Sequence, residues 1–525
     1  MKSVLFPVNF FSNLSCIAVA VCTILIYPSQ SFGQSNYAAF ELKRENNWDS
    51  LATEDMDGDG LKDLIYSHYD ITRGRELHIL KQRIDGTFSS QPQIIDIKTE
   101  IIGIGFADLR TDPGMELLLF ANSGVFSLSA NTEGYSNNLK PLLQWELAAT
   151  IPNSEQVVFF NPSQDINKDG HVDLLLPGRD SYGFFTGGPN ETFTLQSQFS
   201  PISLDQSSNT LRRSGVDANI GINAEQGVSL EFAVESNSFF SDFIENFDDA
   251  NGKPEALLMT ENWLPNALLL TMNDDELLDI VYLNQGVDGL GQLNVHYQTL
   301  GSGFKNEPDW TGSLDVRGEL QLADVNGDQR IDLVRIKGDG NSWNANFYVN
   351  ENGEFNFSSP SQIMRFTGYD LRLNFLRLTP NAKPILSANY YTIPVIDAIR
   401  NASLTRTQLL FNYSDDASTE LFSRRPDAKI DETFSAANVR GLSEQLSLKY
   451  DVNGDNRVDA LYITENGTIA AKAVEENLTI AAEPFWEYIA TNTVFEFEVL
   501  NLNEDSQPDL ILKHGNSTTV LVALP

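Results

Sequence analysis

The chain has 525 residues, with 72 acidic side chains against 35 basic ones and a formal net charge of −37. That balance excludes the phosphate-neutralising surface of a nucleic-acid binder and does not suit docking on anionic lipid. It leaves a solubilising surface, or carboxylates arranged for cations.

Residues 1–33 read as an export signal. Lys2 is the only charge before Glu41, and a mainly apolar stretch from 14 to 27 is followed by Pro28 and small residues. Such a stretch is too short to span a membrane. Cleavage is expected near Gly33, with an uncleaved anchor as the alternative. The expected location is secreted, periplasmic or cell-surface, with no membrane span after signal removal. The two cysteines, Cys16 and Cys22, both lie in this segment. The rest of the chain therefore has no disulfide, thiolate metal site or cysteine nucleophile.

Residues 34–525 read as one domain. Tyr37–Lys43 has the composition of a strand, and then a short pattern begins to recur: an apolar run, D-x-[DN]-x-D-x-x-x-D, and another apolar run. The first copy is Asp55, Asp57, Asp59 and Asp63, with Leu61 at the seventh place. A worn copy at 108–116 has Arg110 at the third place. Next is Asp165, Asn167, Asp169 and Asp173, with His171 seventh, preceded by an apolar run at 156–160. The segment 190–262 fits badly and reads as a degenerate blade or an inserted hairpin, with a damaged loop at 248–255. A weak copy runs from Thr271 to Asp279. The third good frame is Asp324, Asn326, Asp328 and Asp332, with Arg330 seventh. A worn copy at 377–385 precedes Asp451, Asn453, Asp455 and Asp459, with Arg457 seventh. The last is Asn501, Asn503, Asp505 and Asp509, with Gln507 seventh.

The ninth positions fall at 63, 116, 173, 279, 332, 385, 459 and 509, so the spacings are 53, 57, 106, 53, 53, 74 and 50. A period near 53 suits a four-stranded blade that buries its faces only between neighbours. Short runs rich in Leu, Ile, Val and Phe flank the loops, and a Gly-aromatic turn often follows, as at Gly86, Gly303 and Gly353. The fold expected is an all-β propeller of four-stranded blades, eight in number with an insertion, seven being the alternative. After Asp509 only two strands remain, so Tyr37–Lys43 is expected to pair into the last blade and close the ring.

Alternating oxygen donors in a tight loop suit calcium, which takes six to eight oxygen ligands, better than magnesium. About four to six calcium ions are expected, held by the side chains named above and by the backbone at the seventh positions. An EF-hand fails, because position twelve is not Glu and strands, not helices, follow. The loop and its setting resemble the FG-GAP/VCBS repeats of integrin-α-like propellers. The resemblance implies a calcium-binding propeller, with Asp55, Asp57, Asp59, Asp63 and the matching residues of the other good loops as ligands. It does not imply an activity.

Two functions fit. The first is a non-catalytic binding or adhesion module for a glycan or protein surface ligand. The second is a polysaccharide lyase or hydrolase on the same scaffold. His68, His78, His171, His296 and His514 show no metal-ligand spacing along the chain, and H-E-x-x-H and G-x-S-x-G are absent. Trp310, Trp343 and Trp486 read as core residues before they read as sugar platforms.

Overall fold

The computed structural model describes residues 37–43 and 51–524, apart from 130–138, 148–154, 160–162, 202–265, 276, 286–288, 393–402, 415–419, 436–445, 465 and 506; within 202–265 only 211–213, 222–223 and 227–228 are described. The described residues belong to one compact unit spanning 34–525. The predicted signal and the damaged loop at 248–255 lie outside them.

Eight antiparallel blades of four strands make an eight-bladed propeller. Blade 1 covers 51–96, blade 2 101–144, blade 3 163–199, blade 4 268–315, blade 5 319–367, blade 6 369–435 and blade 7 447–488. Blade 8 takes three strands from 496–523 and its fourth from the N-terminus. Tyr37–Lys43 pairs with Ser517–Ala523, from Tyr37 opposite Ala523 to Lys43 opposite Ser517. This closure covers the edge of Ser517–Ala523 with the other end of the chain, so opening the ring means breaking a complete strand ladder.

Each blade is sandwiched between two others, and burial follows from that. The second strand of blade 2, Glu116–Ala121, is buried at every position, whereas the outer strand of blade 5, Gln362–Thr367, alternates buried and exposed. The core is a set of inter-blade layers. Ile65, Leu77 and Ile79 of blade 1, for example, pack with Ile104, Leu117 and Leu119 of blade 2. The Gly-aromatic turns join third to fourth strands and drive Phe88, Phe304 and Phe355 into these layers. Gly86 has a φ of 73°, and a Cβ there would come within 2.8 Å of the Ala38 Cβ across the closing blade, so no side chain fits.

One predicted run falls elsewhere. The inner strand of blade 3 is the short Ser163–Gln164, not 156–160. Val157 instead donates to Ser67 Oγ, and Phe159 bridges in parallel to Ile104. Both are buried in the layer between blades 1 and 2, which explains their apolar character. Thr192–Phe199 is the outer strand of blade 3, so the poorly fitting segment begins after a complete blade. Leu211–Arg213 runs in parallel beside the inner strand of blade 5. Trp486 is buried, and the Trp343 indole donates to Gly368 O, so these two serve packing. Trp310 lies partly buried against Phe355 and Phe357.

Candidate metal centres

In every blade the loop joins the first strand to the second, and the ninth position opens the second strand: Asp63, Glu116, Asp173, Asp279, Asp332, Ile385, Asp459 and Asp509. All but Ile385 are carboxylates, and these are fully or almost fully buried. One oxygen accepts the backbone N–H of position two: Met56 to Asp63 at 3.2 Å, Ile166 to Asp173 at 3.0 Å, Val325 to Asp332 at 2.9 Å. The same bond recurs from Met272 to Asp279, Val452 to Asp459 and Leu502 to Asp509. The other oxygen accepts an N–H from the end of the third strand, from Gln82, Gly187, Gln298, Asn350 or Ala523. The ninth residue is thus first a clamp between a loop and a hairpin. Desolvation holds these acids up: Asp63 to about 7, Asp332 to about 8, Asp509 to about 6, despite the backbone donors that oppose it.

Position two is the buried apolar counterpart of that clamp, as Met56, Ile166, Met272, Val325, Val452 and Leu502. The loops also join neighbouring blades. The N–H of position eight donates to the preceding loop, as Lys62 to Leu502 O, Met115 to Asp55 O, Ile331 to Thr271 O and Val458 to Leu378 O. An amide from the end of the third strand adds to this seam. Asn350 Nδ2 donates to Met272 O and Ile331 O at 2.8 and 3.1 Å. The Gln82 amide, turned with its nitrogen toward the carbonyls, meets Leu502 O and Lys62 O at 3.0 and 2.7 Å.

Positions one, three and five build the loop interior. Asp55 accepts from the N–H groups of Gly58, Asp59 and Gly60, and Asp324 and Asp451 accept from the matching residues. Asp165 accepts from Asp169 and Gly170. Asp59, Asp169, Asp328, Asp455 and Asp505 each accept the N–H of the seventh residue: Leu61, His171, Arg330, Arg457 and Gln507. The coiled path needs positive φ at positions four and six: Gly58 and Gly60, Gly327 and Gln329, Gly454 and Asn456. Lys168 and Glu504 occupy position four without being glycine, at a φ of 57° each.

The loops differ in what faces their oxygens. In blade 1 the carboxylates of Asp55, Asp57 and Asp59 converge within 4.8 Å of one another. Lys81 Nζ meets Asp57 Oδ2 at 2.8 Å, but Asp57 Oδ1 is buried with no hydrogen bond. Asp59 is raised, by desolvation first and also by Asp57 and Asp55. A convergent, mutually repelling set of hard oxygens with an unsatisfied buried acceptor fits calcium. In blades 3, 5 and 8 the third residue is Asn, and its Nδ2 donates to the fifth: Asn167 to Asp169, Asn326 to Asp328, Asn503 to Asp505. Asn453 in blade 7 accepts from the Asp455 N–H. In blade 5 protein cations already stand at the carboxylates. Arg377 Nη2 is 2.8 Å from Asp324, and Arg330 Nη2 is 2.6 Å from Asp328. In blade 8 the Asn501 and Asn503 amides are tied to Asp505 O and Ala523 O.

The loops of blades 2 and 4 keep the clamp and lose the cage, whereas the worn loop of blade 6 has Ile385 at the ninth position and loses both. Glu116 accepts from the Leu109 N–H at 2.9 Å, and Arg110 lies beside Glu116 and Glu191, a cation built into the loop. In blade 4 Asp279 keeps its clamp, but Thr271 stands at position one.

Beyond the loops, a cleft of about 420 Å³ opens where the inner strands of blades 6 and 7 end, lined in part by Arg377, Lys449, Asp451 and Arg457. Among the described residues no helix is long and apolar enough to cross a membrane.

No family model matches the chain. No curated protein matches it. Among solved structures, an Agrocybe aegerita lectin, described as recognising non-reducing terminal N-acetylglucosamine, is similar over 75% of this chain and 86% of its own, at 12% identity and a TM-score of 0.34. The exotype rhamnogalacturonan lyase YesX is similar over 93% of this chain and 73% of its own, at 13% identity and a TM-score of 0.32.

Proposed function

We propose that the chain is an exported propeller of the FG-GAP/VCBS kind, stabilised by calcium, that binds a glycan or protein ligand without cleaving it. The observation that carries the calcium reading is the blade 1 loop, where three carboxylates converge around an oxygen that no protein donor satisfies. The loop at 55–63 fills first, then those at 165–173 and 451–459. The loops at 324–332 and 501–509 fill last, because arginines or amide bonds already engage their oxygens. Asp63 and its equivalents act mainly as clamps and reach an ion only through lone pairs that the backbone leaves free.

The absence of disulfides beyond the signal supports a stapling role for these ions. For the ligand, the cleft between blades 6 and 7 is the natural seat. It gathers Arg377, Lys449 and Arg457 with one lining acid, Asp451, in a chain of net charge −37. Arg377 and Arg457 also pair with Asp324 and Glu476, and the remaining basic character suits an acidic group on the partner. The purified protein, in calcium, should be tested against acidic and neutral polysaccharides for both binding and cleavage. Retention on an acidic polysaccharide without turnover supports the reading. Turnover sinks the binding-only role, and binding that survives Lys449→Ala with Arg457→Ala moves the site away from the cleft.

A further inference from the structure

The histidines are unrelated in linear spacing, but the blade 1 hairpin brings two of them together. Strands Asp63–Asp70 and Gly74–Leu80 pair with His68 opposite Glu76 and Tyr66 opposite His78. Alternation along each strand then places all four on one face of the sheet. One ligand atom from each of His68, Glu76 and His78 lies within 4.8 Å of the others. His78 Nε2 is 2.8 Å from Glu76 Oε2, and the two imidazole rings are 4.7 Å apart between centroids. Glu76 and His78 are buried, whereas His68 is partly exposed and gives the cluster a side open to solvent.

We propose that His68, Glu76 and His78 form a binding site for a transition-metal dication of the zinc type, separate from the calcium loops. Two imidazoles and one carboxylate are the donors that zinc prefers, whereas calcium takes oxygens. Metal–ligand bonds of about 2.0–2.2 Å in a tetrahedron set donor atoms roughly 3.3–3.5 Å apart. The present ligand atoms lie within 4.8 Å of one another, so small side-chain adjustments reach that.

The surroundings supply what such a ligand set requires. A ligating histidine holds its second ring nitrogen on an outer partner, which fixes tautomer and orientation. Tyr66 Oη is 3.3 Å from His78 Nδ1, leaving Nε2 aimed at the cluster. Arg73 Nε stands 2.8 Å from Glu76 Oε1 as an ion pair, and that buried oxygen accepts no hydrogen bond, so the carboxylate keeps lone pairs free on the side of the cluster. Three protein ligands leave a fourth position for water. Five residues of strand separate His68 from Asp63, roughly 16 Å, so the site lies away from the calcium loop of the same blade.

The test uses the full protein, stripped of metal and returned to saturating calcium so that the oxygen loops are filled. It is then titrated with Co²⁺, read by visible absorption, and with Zn²⁺, read by calorimetry. The expected result is one equivalent of cobalt with the intense band of a tetrahedral centre, displaced by zinc. His68→Ala, on the exposed side, should abolish the band. Glu76→Gln keeps the shape of the buried side chain and should weaken zinc by tenfold or more, with the circular dichroism unchanged. Absence of both band and heat, or equal binding by wild type and both variants, overturns the proposal.

Discussion

The loops of blades 1 and 5 carry nearly the same letters and are held in the same way, yet they meet cations differently. In both, a buried ninth aspartate ties position two to the end of the third strand. In blade 1 three carboxylates converge, and although Lys81 meets one oxygen of Asp57, the other is buried and unsatisfied. In blade 5 Arg330 and Arg377 occupy the carboxylates at positions five and one. The lesson is that this motif has two separable jobs. The ninth position and its apolar neighbour serve the fold in both blades. Positions one, three and five present negative charge, which either an ion or the chain's own arginines can neutralise.

The largest expected effect breaks or keeps the shared part. Asp63→Ala and Asp332→Ala each strand two buried backbone N–H groups, at roughly 1–3 kcal/mol apiece, so each should cost about 4 kcal/mol in urea unfolding. A large loss at one position and none at the other would end the idea of a common clamp.

The next effect is the pH dependence of the ion-free protein. Burial pushes Asp63 up to about 7 and Asp332 to about 8 from an ordinary value of 3.8. An acid raised in the folded state contributes fully below its unfolded pKa, and that contribution is lost as pH rises through the folded one. In chelator, stability should therefore fall between about pH 4 and pH 8. Calcium favours the ionised form, so the gap between melts in calcium and in EGTA should widen over the same window. A gap that narrows as pH rises contradicts this sign.

The smallest effect sharpens the difference. Arg377→Ala removes a partly exposed partner of Asp324 and should cost at most about 1 kcal/mol in EGTA. It should also increase the stabilisation gained from calcium, because the blade 5 loop then lacks that cation of its own. No change in the calcium response would mean that Arg377 does not compete with an ion.

Much of the ring was legible because the ninth position is both a sequence marker and a physical strand start. Asp63, Asp279, Asp332 and Asp509 open second strands where the repeat places them. The strand shortage after Asp509 correctly implied closure by Tyr37–Lys43. What stayed hidden depends on contacts between blades or across a hairpin. Arg377 reaches Asp324 from the next blade, 53 residues away, and Asn350 reaches Met272 from 78 residues away. The grouping of His68, Glu76 and His78 exists only in the paired register. The run at 156–160 misled for a related reason, since its apolar side chains fill a layer belonging to blades 1 and 2. The clamp does leave one mark in the sequence: position two is apolar in every good loop, as Met56, Ile166, Val325, Val452 and Leu502.

The central claim is that the blade 1 loop, where Lys81 engages only one oxygen of Asp57, takes a further cation from solution, while the two arginines of the blade 5 loop stand in for one. Calcium titration of the metal-free protein by calorimetry, with Asp57→Ala and Asp328→Ala beside the wild type, tests it most directly. The account predicts that Asp57→Ala loses the tightest calcium step and that Asp328→Ala keeps it. Loss of that step in Asp328→Ala with retention in Asp57→Ala, or no calcium binding by the wild type, would contradict it.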